Sequence, residues 1–148
     1  MKIYLDVCCL CRPFDKPVNH RIHLEAEAVH TILRFCKNDY SLVTSQVVKD
    51  EIQMIANPEK RKQVLNLLAI ADEYVVLNDN IVSRARIFHN AGLQVLDALH
   101  LASSESADAI FITSDDKIIK IINSDTCLCR VPVYNPVFWV MELQNGRN

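Results

Sequence analysis

Short apolar runs alternate with segments of helical periodicity along the chain, and this alternation limits the fold more than any other feature of the sequence. The apolar runs that predict buried strands lie at 3–5, 42–44, 74–77, 109–113 and 127–131. Helical spacing of apolar residues occurs at 24–35, 46–56, 59–71, 79–91, 95–106 and 116–122, and Pro136 marks the start of a last helix. Strands that are separated by helices require crossover connections and therefore pair in parallel. The sequence predicts an α/β fold with a central parallel sheet of about five strands flanked by helices.

The length and charge of the chain limit what this sheet can belong to. A chain of 148 residues, half of them hydrophobic, fits a single domain over 1–148 and leaves no room for a second. The formal net charge is −2, so no overall basic field steers the protein onto nucleic acid. The two glycines, Gly92 and Gly146, cannot form a glycine-rich phosphate loop. Any phosphate must therefore be bound by side chains or by metal.

The apolar stretches also bear on location. None approaches the ~20 apolar residues of a membrane span, and the segment MKIYLDVCCLCRPFD lacks the basic region, apolar stretch and cleavage site of a signal peptide. The sequence therefore predicts a cytoplasmic protein without membrane contact. In that reducing compartment the six cysteines should be free thiols.

Four acidic residues occupy positions where side chains converge in a parallel α/β fold. Asp6 directly follows the first predicted strand, and Asp115 follows the fourth after one residue. Glu51 lies in the second turn of the helix after strand two, and Asp97 in the first turn of the helix before strand four. Ligands of open parallel sheets bind at the carboxyl ends of the strands. Converging carboxylates bind hard divalent cations, so the pattern indicates metal-dependent chemistry on phosphate esters.

Two of these acids carry a further argument. At ~100° per residue, Glu51 flanks the apolar stripe of its helix while Asp50 points nearly opposite, toward water. Asp6 lies between an apolar strand and another apolar run, so its burial would be costly without a cation or a network of hydrogen bonds.

The alternative is that these acids are ordinary surface or capping residues. Most of the 18 acidic residues in a soluble domain are solvated, and Asp97 and Asp116 could each complement a helix N-terminus. Periodicity alone does not separate Asp115 from Asp116. The joint placement of all four acids favours a functional site.

Four segments in this order carry a family resemblance: YLDVCCLCRPFD, TSQVVKDEI, LDALHLASSESAD and IFITSDDK. Together they resemble the motif regions of PIN-domain nucleases, a family that includes the toxin ribonucleases of toxin–antitoxin pairs. The resemblance covers residues 2–139. It implies a single PIN-like domain with helices around a parallel sheet, and Mg²⁺- or Mn²⁺-dependent hydrolysis of RNA phosphodiester bonds.

The resemblance also assigns roles to individual residues. Its catalytic acids are Asp6, Glu51, Asp97 and Asp115, of which Asp6, Asp97 and Asp115 are the predicted metal ligands. Glu51 would complete a second metal position or orient the attacking water. The Thr-x-Asp pattern favours Asp115 as the fourth acid. The predicted supporting residues are Thr113 and Asp116.

The chain departs from the family pattern beside the first acid. Cys8 stands where the family places a small polar residue, and Cys11 stands where relatives with the same CCL run have Asn. These departures predict reduced activity or an altered choice of substrate. The acids themselves are all present, so we expect an active enzyme.

Basic residues near the predicted cleft are candidates for binding RNA phosphates without base specificity. The predicted contacts are Arg12, Lys16, Lys49 and Lys117, with Arg21 and Lys120 nearby. Phe14 is the only aromatic residue near the cleft, so no stacking platform for single-stranded RNA is predicted.

The cysteines offer a competing interpretation. A zinc site could combine them with His20 or His23, but their spacings are shorter than those of structural zinc sites. Cys127 and Cys129 would point to one face of a strand, which favours buried hydrophobic residues over ligands. His100 could support the acidic site by holding one of its side chains in place, or it could simply be a packed or surface histidine. A cysteine–histidine hydrolase would need a base and an oxyanion hole that the sequence does not identify.

The leading hypothesis is a metal-dependent ribonuclease, either a toxin with an antitoxin partner or a related RNA-processing enzyme. The alternative is a catalytically weak PIN-like module that binds RNA or protein. The apolar residues at 137–141 exceed what one small helix needs for its own packing, which leaves open docking onto the core or a surface for a partner. Family members often pair, and this favours a homodimer.

Overall fold

The computed structural model describes residues 1–146. The strands are β1 (Lys2–Leu5), β2 (Ser41–Ser45), β3 (Glu73–Val75), β4 (Ile110–Ile112) and β5 (Val133–Tyr134). The helices are α1 (Val7–Cys11), α2 (His20–Phe35), α3 (Gln46–Gln53), α4 (Pro58–Leu67), α5 (Asp79–Asn90), α6 (Val95–Ser106), α7 (Asp116–Ser124) and α8 (Pro136–Gly146). Short 3₁₀ turns follow α1 at Arg12–Phe14 and α4 at Leu68–Ile70.

The five strands form one sheet in the order β3-β2-β1-β4-β5, and every pairing is parallel. The strand β1 lies at the centre, with Tyr4 opposite Val43 on one side and Phe111 on the other. Because all strands run the same way, the residues that follow them meet at one edge of the sheet. The predicted α/β class with a five-stranded parallel sheet is confirmed.

The hydrophobic core surrounds the central strand. Ile3, Tyr4 and Leu5 are at most 2% exposed, as expected for a strand that is covered by helices on both faces. The ring of Tyr4 stacks on Phe111 with 5.6 Å between centroids. The residue that follows this rigid strand, Asp6, is therefore held at the middle of the carboxyl edge.

The fifth strand lies at a different place from the one predicted. Residues 127–131 are not a strand, because Asp125 forms a turn in which its side chain accepts from the N–H of Cys127 and its carbonyl from that of Leu128. The observed β5 is only two residues long and pairs at the sheet edge directly after Pro132. Proline donates no hydrogen bond, and it is tolerated beside such an edge strand.

Helix ends differ from the periodic pattern where capping residues fix them. The helix α2 begins at His20, before the apolar pattern starts, because the Asn19 side chain accepts from the N–H of Ile22. The short helix α1 was not predicted. It begins directly after Asp6, whose side chain caps it. Among residues 1–146, no helix has both the length and the apolar character that a membrane crossing requires.

Candidate active site

Asp6 is the most tightly held of the acidic residues at the carboxyl edge of the sheet. The side chain caps α1 by accepting from the N–H of Val7 at Oδ1, with 2.8 Å between N and O. The Thr113 hydroxyl donates to the other oxygen, Oδ2, also at 2.8 Å. Only 5% of the surface of Asp6 is exposed. The orientation of its carboxylate is fixed by residues that follow two different strands.

Thr113 connects the ends of β1 and β4. Its hydroxyl oxygen accepts from the backbone N–H of Asp115 at 3.1 Å while its proton goes to Asp6. Asp115 then caps α7 by accepting from the N–H of Lys117 at 2.9 Å. The half-buried thiol of Cys8 lies 3.7 Å from the Thr113 hydroxyl, at the position where the family pattern has a small polar group.

Glu51 and Asp97 reach the same cleft from two helices. Glu51 is half-buried on α3 while its neighbour Asp50 is exposed, as the helical wheel predicts. Asp97 is half-buried in the first turn of α6. Burial, followed by the charges of Asp6 and Asp115, raises the pKa of Asp97 to about 6. A carboxyl group responds in this way when it is withdrawn from water and other carboxylates lie close to it.

His100 completes the cluster from the next turn of α6. The imidazole is fully buried, and its Nε2 lies 3.6 Å from Oε2 of Glu51 and 3.8 Å from Oδ1 of Asp6. Burial alone would lower the pKa of His100, but the carboxylates of Glu51 and Asp6 outweigh it and raise the pKa. One ligand atom from each of these three side chains lies within 4.8 Å of the others. Sequence reasoning left the role of this histidine open, and its burial beside Glu51 makes it part of the site.

The cluster fits a divalent cation. Within residues 1–146, no lysine or arginine side chain forms an ion pair with any of the four acids of the site. The buried Nε2 of His100 has no hydrogen-bond partner among these residues. Divalent metals bind to carboxylate oxygens and to imidazole nitrogen, and this cluster supplies both kinds of donor atom.

The predicted supporting and RNA-contact residues differ in exposure. Asp116 is exposed and accepts two hydrogen bonds from Arg21, at 2.7 and 2.8 Å. Lys16, Lys49 and Lys117 are also exposed. Their contact with RNA stays a prediction.

Arg12 belongs to a second cluster that sequence reasoning missed. Its guanidinium donates to the buried Glu25, to Asp15 and to the Ser114 hydroxyl, so its donors are already engaged within the protein. Glu25 is 1% exposed and also accepts from Arg21 and from the Asn135 amide. The sequence does hold a signal for this cluster. Glu25 precedes residues 28, 29 and 32 at helical spacing, which places a charged residue on the apolar stripe of α2.

The cysteines do not form a competing centre. All six are free thiols; Cys36 is buried, Cys127 is exposed and Cys129 is half-buried in the turn that replaces the predicted strand. The interpretation of Cys127 and Cys129 as buried strand residues is wrong, because that strand does not form. In the part of the chain that the structure describes, the Asp6–Glu51–His100 group is the one cluster of three such side chains with metal-ligand spacing.

The family model for the PIN domain matches residues 3–123, most of the chain. This chain belongs to the PIN-domain family. PIN domains are nucleases that need divalent metals, in agreement with the acidic cluster at the carboxyl edge of the sheet. Among curated proteins, no relative matches this chain.

Solved structures of similar fold support the same assignment. VapBC2 from Rickettsia felis, bound to a DNA fragment from the promoter, gives a TM-score of 0.62 at 10% identity, with 91% of this chain and 98% of that chain covered. VapBC-1 from nontypeable Haemophilus influenzae gives 0.60 at 15% identity, with 92% and 98% covered. FitAcB from Neisseria gonorrhoeae gives 0.57 at 17% identity, also with 92% and 98% covered. At such identities the likeness establishes the PIN fold and no more.

Proposed function

We propose that this PIN-domain protein is a ribonuclease that depends on Mg²⁺ or Mn²⁺ and hydrolyses RNA phosphodiester bonds. The observation that carries the proposal is the group of carboxylates at the carboxyl edge of the sheet, none of which pairs with a lysine or arginine of residues 1–146. Membership of a nuclease family supports the reaction type, and the raised pKa of Asp97 supports a site that takes up positive charge.

Each acidic residue of the site would have a role in the reaction. Asp6, Asp97 and Asp115 would hold the divalent ion, with Asp6 kept in place by Thr113 and by its cap on α1. A bound divalent ion polarises a phosphodiester and lowers the pKa of a coordinated water. Glu51 would complete a metal position beside Asp6 from the α3 side of the cleft. Asp116 supports the site indirectly, because it pairs with Arg21, which also donates to the Ser114 carbonyl beside Asp115.

RNA would be held by exposed lysines on the elements that surround the cleft. Lys16 follows the 3₁₀ turn at Arg12–Phe14, Lys49 shares α3 with Glu51, and Lys117 is in the first turn of α7. Such contacts position a phosphate backbone and carry no base specificity. Arg12 would reach RNA only by giving up part of its contact with Ser114 or Asp15.

We also propose that the protein acts in the cytoplasm as the toxin of a toxin–antitoxin pair. The support is the resemblance of its four motif segments to toxin ribonucleases and its structural likeness to VapBC2 and FitAcB. The helix α8 supplies a candidate surface for a homodimer. Phe138 and Met141 are 53% and 56% exposed on it, while Trp139 and Val140 are buried against the core. Light scattering coupled to size-exclusion chromatography tests this, and a monomer at high concentration argues against it.

The test of the reaction is Mn²⁺-stimulated cleavage of RNA by the wild type, Asp6→Asn and Asp97→Asn. Each substitution removes one charge at nearly constant volume and should lower the cleavage rate by about 100-fold or more, above the loss typical of groups that only support a ligand. Asp50→Asn is the matched control, since Asp50 is exposed on α3 beside Glu51, and it should cleave as the wild type does. Undiminished cleavage by both site variants would rule out this site.

A catalytically weak binding module is the second candidate, and Cys8 is the observation that favours it. Its thiol replaces the expected polar group beside Thr113 and is a poor hydrogen-bond donor. Tight RNA or protein binding without hydrolysis, across several divalent ions, would support this candidate over the nuclease. Cleavage restored or increased by Cys8→Ser would instead show an enzyme slowed by its thiol.

A further inference from the structure

His100 has one ring nitrogen that the protein satisfies and one that it does not. Nδ1 lies 2.8 Å from the hydroxyl oxygen of Tyr4, within hydrogen-bond distance. Nε2 is fully buried and has no hydrogen-bond partner among residues 1–146. A buried, unpaired polar atom is costly, and native proteins retain one where an ion or a function requires it. The unpaired nitrogen points between the carboxylates of Asp6 and Glu51.

The Tyr4 hydroxyl fixes the orientation of the imidazole. Tyr4 is itself fixed, since its oxygen lies 2.6 Å from Oγ of Ser45 and its ring stacks on Phe111 in the core. Ser45 in turn accepts from the N–H of Val48 in the first turn of α3. Tyr4 can donate to Ser45 and accept from Nδ1–H of His100, which leaves a lone pair on Nε2. Metal-binding histidines are commonly held by such a partner on their other nitrogen.

The distances around Nε2 fit a shared cation better than hydrogen bonds. At 3.6 and 3.8 Å, Nε2 is farther from Glu51 and Asp6 than the ~2.7–3.2 Å of an N–H···O bond. Ligands of one ion with bonds of about 2.1 Å lie ~3.0 Å apart at right angles and ~4.2 Å apart when opposite. The observed separations fall between these limits. Facing two carboxylates, Nε2 carries either a proton or a metal ion, and a bound metal ion displaces the proton.

We propose that Nε2 of His100 is a direct ligand of the divalent ion and makes the site select Mn²⁺, or another transition ion, over Mg²⁺. The proposal rests on the metal-dependent function above and adds a nitrogen ligand to the carboxylates assigned there. Carboxylate oxygens suit Mg²⁺ and Mn²⁺ alike, whereas imidazole favours transition ions. The choice between Mn²⁺ and Mg²⁺ would be made at the buried end of the cluster, where His100 and Asp6 lie.

Pulsed electron paramagnetic resonance of bound Mn²⁺ tests the ligand directly. The wild type should show coupling to one ¹⁴N nucleus, which changes to ¹⁵N coupling when only the histidines are ¹⁵N-labelled. His100→Gln should lose this coupling. Because the labelled sample is the wild-type chain, the test does not depend on whether the variant folds. Mn²⁺ bound without histidine nitrogen coupling overturns the proposal.

Binding calorimetry tests the selectivity. His100→Gln should weaken Mn²⁺ binding by about 10-fold or more and Mg²⁺ binding by less than about 3-fold. Tyr4→Phe keeps the imidazole but removes its partner, and it should weaken Mn²⁺ binding by roughly 10-fold. Equal losses for Mn²⁺ and Mg²⁺ in His100→Gln would show a structural role and overturn the proposal.

The two proposals fail in different ways. If Mn²⁺ binds with histidine nitrogen coupling but the wild type cleaves no RNA, the ligand assignment stands and the nuclease function fails. If the wild type cleaves RNA with Mn²⁺ while showing no such coupling, the function stands and the His100 assignment fails. A wild-type protein that binds neither ion overturns both.

Discussion

Two neighbouring groups of buried and half-buried carboxylates in this protein differ in how their charge is compensated. Glu25 is 1% exposed and accepts hydrogen bonds from Arg12, Arg21 and Asn135, so its charge is compensated inside the fold. The acidic cleft gathers Asp6, Glu51, Asp97 and Asp115 and pairs none of them with a lysine or arginine within residues 1–146. Burial alone therefore does not mark a functional acid. Burial without a paired lysine or arginine does.

The two groups are joined at one residue. Arg12 donates to the Ser114 hydroxyl at 3.3 Å, and Arg21 donates to the Ser114 carbonyl at 2.9 Å. Ser114 directly precedes Asp115, which belongs to the cleft. The compensated cluster therefore helps to position one acid of the uncompensated one.

The largest effect on stability is expected from Glu25→Gln. Removing one partner from a buried ion pair leaves the other charges unpaired, which costs about 3–5 kcal/mol. Because Arg21 is half exposed, we expect a loss near 3 kcal/mol in urea unfolding. Glu27→Gln, on the exposed side of the same helix, is the control and should change little. A Glu25→Gln protein as stable as the wild type would remove the contrast between the two groups.

The next largest effect is stabilisation by metal in the cleft. Mn²⁺ at about 100 times its dissociation constant should raise the free energy of unfolding by about 2.7 kcal/mol, since it binds only the folded state. Asp6→Asn should abolish this gain, and without metal its stability should stay near that of the wild type, because relief of the crowded charge offsets the hydrogen bond from Thr113 that the amide nitrogen cannot accept. Thermal unfolding with Mn²⁺ and with a chelator measures both. An Asp6→Asn protein that Mn²⁺ stabilises as much as the wild type would contradict the prediction.

A smaller effect should separate two adjacent residues. Glu51→Gln should weaken Mn²⁺ binding by roughly 10-fold, or about 1.4 kcal/mol, because it faces the cleft. Asp50→Asn removes the same charge one residue away and should leave binding within about 2-fold, since that side chain is in water and solvent screens its charge. Calorimetry on both variants gives the comparison. Equal losses would mean that Mn²⁺ responds to net charge and not to the cleft.

The smallest effect concerns a second compensated acid, Glu105, which is paired with Arg84 at 2.6 Å. Burial alone would raise the pKa of Glu105, but Arg84 and the N–H of Arg130 outweigh it and hold the pKa below its ordinary value. A lowered pKa contributes stability above the ordinary carboxyl pKa, and this is lost as pH falls through the folded value. Between about pH 6 and pH 3, the free energy of unfolding should therefore fall more steeply with pH for the wild type than for Glu105→Gln. Identical slopes would show that this pairing adds no stability.

The parts of this molecule that sequence could predict depend on short-range patterns. The alternation of strands and helices and the separation of Glu51 from Asp50 follow from periodicities of two to four residues. The fifth strand was misplaced because residues 127–131 have strand-like composition, while the turn made by Asp125 prevents pairing. The four acids were chosen from their places after strands or near helix starts, and their catalytic roles stay a proposal.

The parts that could not be predicted depend on distant neighbours. His100 meets Tyr4, 96 residues away in the chain, and Glu25 meets Asn135, 110 residues away. No local pattern tells whether a charged side chain in a helix will find a partner at such separations. Sequence therefore identified the acids of the cleft but not the cluster that compensates Glu25.

The central position of β1 has a consequence for when the cleft can exist. Asp6 is made before Thr113, which orients it and follows 107 residues later. The neighbouring strand β4 and the acid Asp115 arrive at the same late stage. Contacts of such long range form only after a large loop has closed. A growing chain thus has no assembled cleft until β4 and the residues that follow it have been translated.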